Sequence, residues 1–175
     1  MFDASGTAAA QTQKINSVKL FDLSAPIITE SKLNSYNSNV TNRFIVPVYA
    51  DAKASITLEP DDFKLTLVGG TATLKSTTPS SIDSSENGKR YQLGLDVIGI
   101  PDGREVLTIN PVDNNIYDDA ANPANKVQDN NSMNLFDKQP PTITSISLSK
   151  ANDTLFVTLS EAAYAKDTGS DTLVI

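Results

Sequence analysis

The strongest constraint on this sequence is that part of it occurs twice. Residues 16–29 read NSVKLFDLSAPIIT and residues 131–144 read NSMNLFDKQPPTIT. Laid over each other without a gap, they share Asn16/Asn131, Ser17/Ser132, Leu20/Leu135, Phe21/Phe136, Asp22/Asp137, Pro26/Pro141, Ile28/Ile143 and Thr29/Thr144. The offset from Asn16 to Asn131 is 115 residues, and the same offset carries residues 1–13 onto 116–128. There Asp3/Asp118, Ala9/Ala124 and Gln13/Gln128 are identical, and Phe2 and Tyr117 are both aromatic. A collinear, ungapped match over residues 1–29 is not a chance event. Solenoid units run to roughly 20–50 residues, so a period near 115 is the size of a whole small domain. The expected organisation is a tail of one unit at residues 1–22, a complete unit at 23–138, and the start of another at 139–175.

A unit of that size must bury its own core, and the patterning says how. Strand signals recur at PIITESKL (26–33), NRFIVPVYA (42–50), DFKLTLVGGTATLKS (62–76), SIDSSENGKRYQLGLDVIGI (81–100) and GREVLTINPV (103–112). KVQDNNSMNLFD (126–137) leads out of the unit. Pro47 marks an edge or a bulge, because proline cannot donate to a ladder. The Gly69-Gly70 pair predicts a hairpin that places Phe63, Leu65 and Leu67 on one face and Ala72 and Leu74 after the turn. Asn87-Gly88 favours a turn with positive φ. After it Tyr91, Leu93, Leu95 and Val97 alternate inward, and Val106 with either Leu107 or Ile109 is expected in the core. No segment keeps a helical period over ten residues; a single turn near residues 119–124 is the most that is expected. About seven short strands, rich in Thr, Val and Ile, predict an all-β, antiparallel β-sandwich in a tandem array.

Composition narrows the chemistry. Formal charge is −7, and the chain has no Cys, His or Trp. An acidic chain without a basic stripe is a poor partner for nucleic acid or for anionic membrane surfaces. No apolar run approaches the length of a membrane span, so insertion of this segment is not expected. Without His and Cys there is no imidazole base, no thiol nucleophile and no ordinary zinc or copper site. Paired carboxylates can still hydrolyse glycosides, but they need a pocket that a small sandwich rarely offers. The chain is expected not to be an enzyme.

Two stretches carry a family likeness. IYDDAANPANKVQDNNSMNLFDKQPPTIT (116–144) resembles the end-of-domain signature of bacterial immunoglobulin-like (Big-type) tandem repeats. In those a YDAAGN-type turn precedes the last strand and a D-x-x-P-P junction opens the next domain. DFKLTLVGGTATL and EVLTINPV resemble their middle strands. The resemblance implies an immunoglobulin-like sandwich in a large secreted or cell-surface adhesin-like protein, with tandem copies forming a stalk that projects a binding tip. One departure stands out. The usual glycine of the turn is Ala121, although Gly6 occupies the equivalent place in the first copy; alanine at positive φ costs around a kilocalorie, so an altered turn is expected.

Acidic residues concentrate late in the complete unit. Asp102, Glu105, Asp113, Asp118, Asp119, Asp129 and Asp137 face only Arg104 and Lys126 between residues 102 and 137. Asn114, Asn115, Asn122, Asn130 and Asn131 are interleaved. Ca²⁺ takes about six to eight such oxygens, usually from loops. Asp113, Asp118, Asp119 and Asp137 are the candidate ligands of a calcium ion that would stiffen a junction. Turn formation and solubilising charge explain the same residues without a metal, and no EF-hand spacing is present. Asn39, Asn130 and Asn152 open Asn-X-Ser/Thr triplets.

Three roles are therefore open. The first is a non-catalytic spacer whose partners are neighbouring repeats of the same chain. The second is a module that grips a glycan or protein, a host-cell or surface ligand, through loops at one end of the sandwich; Tyr36 and Tyr117 are its loop-like tyrosines. The third is a subunit that assembles by strand complementation between chains, because residues 1–22 and 139–175 each lack the rest of a unit.

Overall fold

The computed structural model describes residues 1–10 and 17–164 of the chain. The described residues are all-β apart from one 3-10 turn, Pro60–Asp62. In chain order the strands are β1 (Ile28–Leu33), β2 (Asn39–Phe44), β3 (Phe63–Val68), β4 (Thr73–Leu74), β5 (Ile82–Ser85) and β6 (Arg90–Gly94). They continue with β7 (Val97–Ile98), β8 (Val106–Pro111), β9 (Ser132–Asn134), β10 (Ile143–Leu148) and β11 (Leu155–Leu159). Among the described residues no helix is long and apolar enough to cross a membrane.

One sheet has the order β1-β2-β6-β5 and a second the order β3-β8-β9, all antiparallel. The inner faces of both contribute to one apolar cluster, which is the packing of a β-sandwich. Ile28, Val40, Phe44, Tyr91 and Leu93 come from the first sheet; Phe63, Leu65, Leu107 and Ile109 come from the second. Phe44, Phe63 and Tyr91 meet at its centre with ring centroids 6.2–6.4 Å apart, Phe44 and Tyr91 edge to face. The Tyr91 hydroxyl donates to the Val48 carbonyl at 3.0 Å, so the only polar atom of that trio is satisfied. Burial raises the Tyr91 pKa to about 12.

The period-2 alternation explains most of this. Tyr91 and Leu93 face inward as expected, Leu95 is buried beyond the end of β6, and Val97 is half-buried. In β8 the inward pair is Leu107 and Ile109 together, and Val106 lies half-buried on the other parity. The expected turn at Asn87-Gly88 joins β5 to β6, with Glu86, Asn87 and Gly88 all at positive φ. The strand read at 42–50 instead begins at Asn39 and stops at Phe44, short of Pro47.

The hairpin expected around Gly69-Gly70 is not formed. β3 pairs with β8 along its whole length, and β4 pairs with β7. Gly69 and Gly70 take φ 81° and 59°. Among the described residues the backbone beyond them meets β3 again only through Leu65 N, which donates to the Thr77 carbonyl at 2.7 Å, and not as a ladder. A Cβ on Gly70 would lie 2.2 Å from the Glu105 carboxyl carbon. The glycines serve a close approach to a buried acid, which the sequence pattern does not distinguish from a hairpin turn. Residues 119–124 form no helix; they belong to an aspartate-centred turn described below.

The sequence repeat reappears in the backbone. β1 and β2 pair as Ile28↔Phe44, Glu30↔Arg43, Ser31↔Asn42, Lys32↔Thr41 and Leu33↔Val40. β10 and β11 pair as Ile143↔Leu159, Ser145↔Thr158, Ile146↔Val157, Ser147↔Phe156 and Leu148↔Leu155, each partner 115 residues on. The register shift after Ile28 recurs after Ile143. The connecting turns match as well. Asn34 Oδ1 accepts from the Ser38 and Asn39 amides, and Ser149 Oγ accepts from those of Asp153 and Thr154. Asn37 and Asn152 then take φ 57° and 58°.

Candidate functional site

The places that matter are the two ends of the complete unit, where the chain enters and leaves. β1 starts beside Phe44 and runs to the turn at residues 34–38. The segment after β9 reaches that same turn, so the chain leaves the unit at the far end of β1 from where it enters.

The entrance end is organised by Asp118. Its side chain is buried, and Oδ1 accepts from the amides of Ala120 at 2.9 Å and Asn122 at 2.8 Å. Oδ2 accepts from Asn122 Nδ2 at 2.9 Å. Asn122 Nδ2 also reaches the Asp22 carbonyl at 3.2 Å, which ties the incoming chain to the turn. The first copy repeats the motif: Asp3 Oδ1 accepts from the amides of Ser5 and Thr7, both at 2.9 Å. Gly6 at φ 79° corresponds to Ala121 at φ 66°. Ala121 therefore adopts the left-handed conformation, and the turn is not altered by losing its glycine.

The exit end is organised by Glu105, a fully buried carboxylate. Its Oε1 accepts from the amides of Thr71 at 2.8 Å and Ala72 at 2.9 Å, and Oε2 from Asp102 at 3.1 Å. Burial alone would raise its pKa, but backbone N–H groups of Ala72, Glu105, Thr71 and Asp102 outweigh this and hold it below the ordinary value. One acid thus pins two loops, residues 69–72 and 100–103. The outgoing chain docks on those loops: Lys138 N donates to the Pro101 carbonyl at 2.9 Å, and Gln139 Nε2 donates to Thr71 Oγ1 at 2.9 Å. A groove of about 370 Å³ there is lined by Asp102, Arg104, Asp137 and Glu161 among others. Arg104 is ion-paired with Asp102. Loss of hydration beside the groove and the nearby Asp137 charge raise the pKa of the exposed Glu161.

The four candidate calcium ligands are not brought together. Asp113, Asp118 and Asp119 lie at the entrance end, Asp113 just beyond β8 and the other two in the Asp118 turn; Asp137 lies at the exit end. β8 separates the two ends by roughly 20 Å of strand. Both Asp118 oxygens are occupied by its own turn, and Asp137 Oδ1 accepts from the Gln139 amide at 2.8 Å. Among the described residues, no three Asp or Glu side chains gather as a metal cluster. Tyr36 and Tyr117 do not form an aromatic platform either. Tyr36 is exposed at the β1–β2 turn, whereas Tyr117 pairs with Tyr49 and donates its hydroxyl to the Asn114 carbonyl at 2.9 Å.

The sequence reading counted Glu105 only as one of the acids between residues 102 and 137 and did not single out Asn37. Asn37 is buried at the exit end, where its Oδ1 accepts from the Phe136 amide at 2.9 Å and its Nδ2 donates to the Phe136 carbonyl at 2.8 Å. A signal existed for it: continuing the 115-residue offset finds Asn152 opposite Asn37.

No protein-family model matches the chain, and no curated protein matches it. Among solved structures it is similar to the crystal structure of the S-layer protein rSbsC(31-844) over 70% of this chain, at 23% identity and a TM-score of 0.39. The chain spans 15% of that protein's length. The immunoglobulin-like resemblance read from the sequence therefore stands without a matching family model.

Proposed function

We propose that this chain is a non-catalytic spacer segment of a repeat protein at the cell surface or outside the cell, with immunoglobulin-like units strung in tandem. One observation carries the reading. Segments 115 residues apart have the same ladder register, the same bulge and the same turn hydrogen bonds. A chain that rebuilds the opening of its unit immediately after closing it is organised for serial connection. The geometry suits a load-bearing link. The chain enters and leaves at opposite ends of β1, so tension passes through the sandwich rather than peeling one edge. Glu105 and Asn37 fasten the outgoing strand at the point where that tension arrives.

The test is single-molecule pulling of the chain held at its two termini. A spacer of this design unfolds in one cooperative step that releases about 400 Å of contour length, the extended length of 115 residues. Gradual extension at low force, without that step, would contradict the reading. Calcium at the junction belongs to the same proposal. Asp22 occupies beside the Asp118 turn the place that Asp137 would occupy beside the equivalent turn of a following unit. A rise of several degrees in the thermal transition with calcium over chelator is the expected sign of an ion there, and no shift would leave these aspartates as turn formers.

A further inference from the structure

Inside the complete unit, β1 is an edge strand of the first sheet, and the edge that faces away from β2 is held by side chains. At the entrance end Ile28 N donates to Gln128 Oε1 at 2.8 Å, and the Ile28 carbonyl accepts from Asn130 Nδ2 at 3.5 Å. Gln128 is itself anchored, its Nε2 donating to the Asn125 carbonyl at 2.6 Å. At the exit end Asn37, in the turn that follows β1, holds both the amide and the carbonyl of Phe136. Residue 28 is thus tied to residues 128 and 130, and residue 37 to residue 136, so the outgoing segment runs parallel to β1. Its backbone belongs to the second sheet, where Ile109 N donates to the Asn131 carbonyl and Leu135 N to the Glu105 carbonyl. The amide side chains therefore bridge from one sheet to the other. The repeat keeps both ends of this arrangement. Between residues 30 and 44 only Leu33/Leu148 and Asn37/Asn152 are identical at the 115-residue offset, and Gln13 stands opposite Gln128.

We infer that Gln128, Asn130 and Asn37 form the mechanical clamp of the unit, loaded in shear between the incoming and the outgoing chain. Tension on the incoming chain draws β1 toward the entrance end. Tension on the outgoing chain draws residues 128–136 toward the exit end. Two parallel segments pulled in opposite directions slide along each other, so the hydrogen bonds at both ends of the pair stretch together. Loaded from one end alone, the same bonds would break one after another. The clamp deepens the spacer reading and rests on it, because only a chain under tension uses such a device.

Constant-force pulling of the full chain tests it, with the lifetime before the unfolding step as the readout. Gln128→Ala and Asn37→Gly each remove clamp bonds, and glycine keeps the left-handed turn. Each is expected to shorten the lifetime of the end-to-end loaded unit about tenfold. Ile82→Ala is the reference: it trims a half-buried residue in β5, at the opposite edge of the sheet from β1. It is expected to lose as much stability as the clamp variants in denaturant titration, yet to shorten the lifetime under force far less. Changing the direction of load tests the same point without weakening the clamp. The chain has no cysteine, so Ser35→Cys and Lys138→Cys supply two attachment points, both at the exit end. Pulled there, the clamp is loaded from one end and the lifetime is expected to fall, with equilibrium stability unchanged. Equal lifetimes for the two directions would overturn the clamp and leave the spacer reading standing. So would lifetimes that follow equilibrium stability alike in all three single variants. Absence of the unfolding step in the wild type would overturn both.

Discussion

The hairpins β1–β2 and β10–β11 are built on the same ladder, yet one is among the most buried parts of the molecule and the other among the most exposed. Ile28 and Val40 are 1% and 0% accessible; their counterparts Ile143 and Leu155 are 59% and 60% accessible. The bulge, the left-handed asparagine and the side-chain-closed turn are common to both, so these are local properties of the segment. Burial is not local. It is supplied in the first case by β3, β6, β8 and the segment around β9; among the described residues β10 and β11 pair only with each other. A two-stranded hairpin alone is marginally stable in water. The difference separates what the segment specifies by itself from what the rest of a unit adds.

The sharpest way to break this comparison is to place the same charge on both hairpins. Val40→Asp buries an unpaired carboxylate and should cost about 4 kcal/mol or more of unfolding free energy. Leu155→Asp at the equivalent position should leave the unit's stability unchanged in denaturant titration. Next in size is Glu105→Gln, which has no counterpart in the second hairpin. Replacing a charged acceptor of several backbone amides should cost about 2–3 kcal/mol. Because the folded-state pKa of Glu105 lies below its ordinary value, its contribution is present above about pH 4.3 and is lost as pH falls below that. The variant should therefore show a shallower loss of stability on acidification than the wild type; an equal slope would mean that Glu105 is not the responsible acid.

Smaller effects probe what differs between the copies. Asn42 is fully buried, accepts from Ser31 Oγ at 2.6 Å and leaves its own Nδ2 without a hydrogen-bond partner. The second hairpin has Ile146 and Val157 at these two places. The double change Ser31→Ile with Asn42→Val should be neutral or stabilising by up to about 1 kcal/mol, since both polar partners are removed together. Ala121→Gly should stabilise by less than about 1 kcal/mol: it relieves a left-handed alanine but adds freedom to the unfolded chain. A loss of stability in either variant, read from thermal melts, would show that the copies are not interchangeable at that position.

How much of this was legible depended on which physical rule governed each residue. Strict alternation placed Tyr91 and Leu93, because half-buried strands leave no other choice. In β8 the reading left Leu107 and Ile109 as alternatives beside Val106, and the structure buries both of them while Val106 stays half-buried. The repeat was legible where its residues match, but beyond Thr29/Thr144 β10–β11 follows β1–β2 through a stretch, residues 30–44 on 145–159, where only Leu33/Leu148 and Asn37/Asn152 are identical. There the backbone keeps a register that the side chains no longer display. Gly69-Gly70 misled because positive φ serves a hairpin and a close approach equally well. Glu105 was invisible: an acid that collects amides from loops distant in sequence leaves no local pattern. The aspartate cluster was legible as composition only, since the fold divides it between two ends.

Amide hydrogen exchange, followed residue by residue in dilute solution, tests the central claim most directly. The account predicts slow exchange in β1–β2. In β10–β11 it predicts rapid exchange. Exchange in dilute solution as slow in β10–β11 as in β1–β2 would contradict it, because the second hairpin would then be stable without the complement that the first one requires.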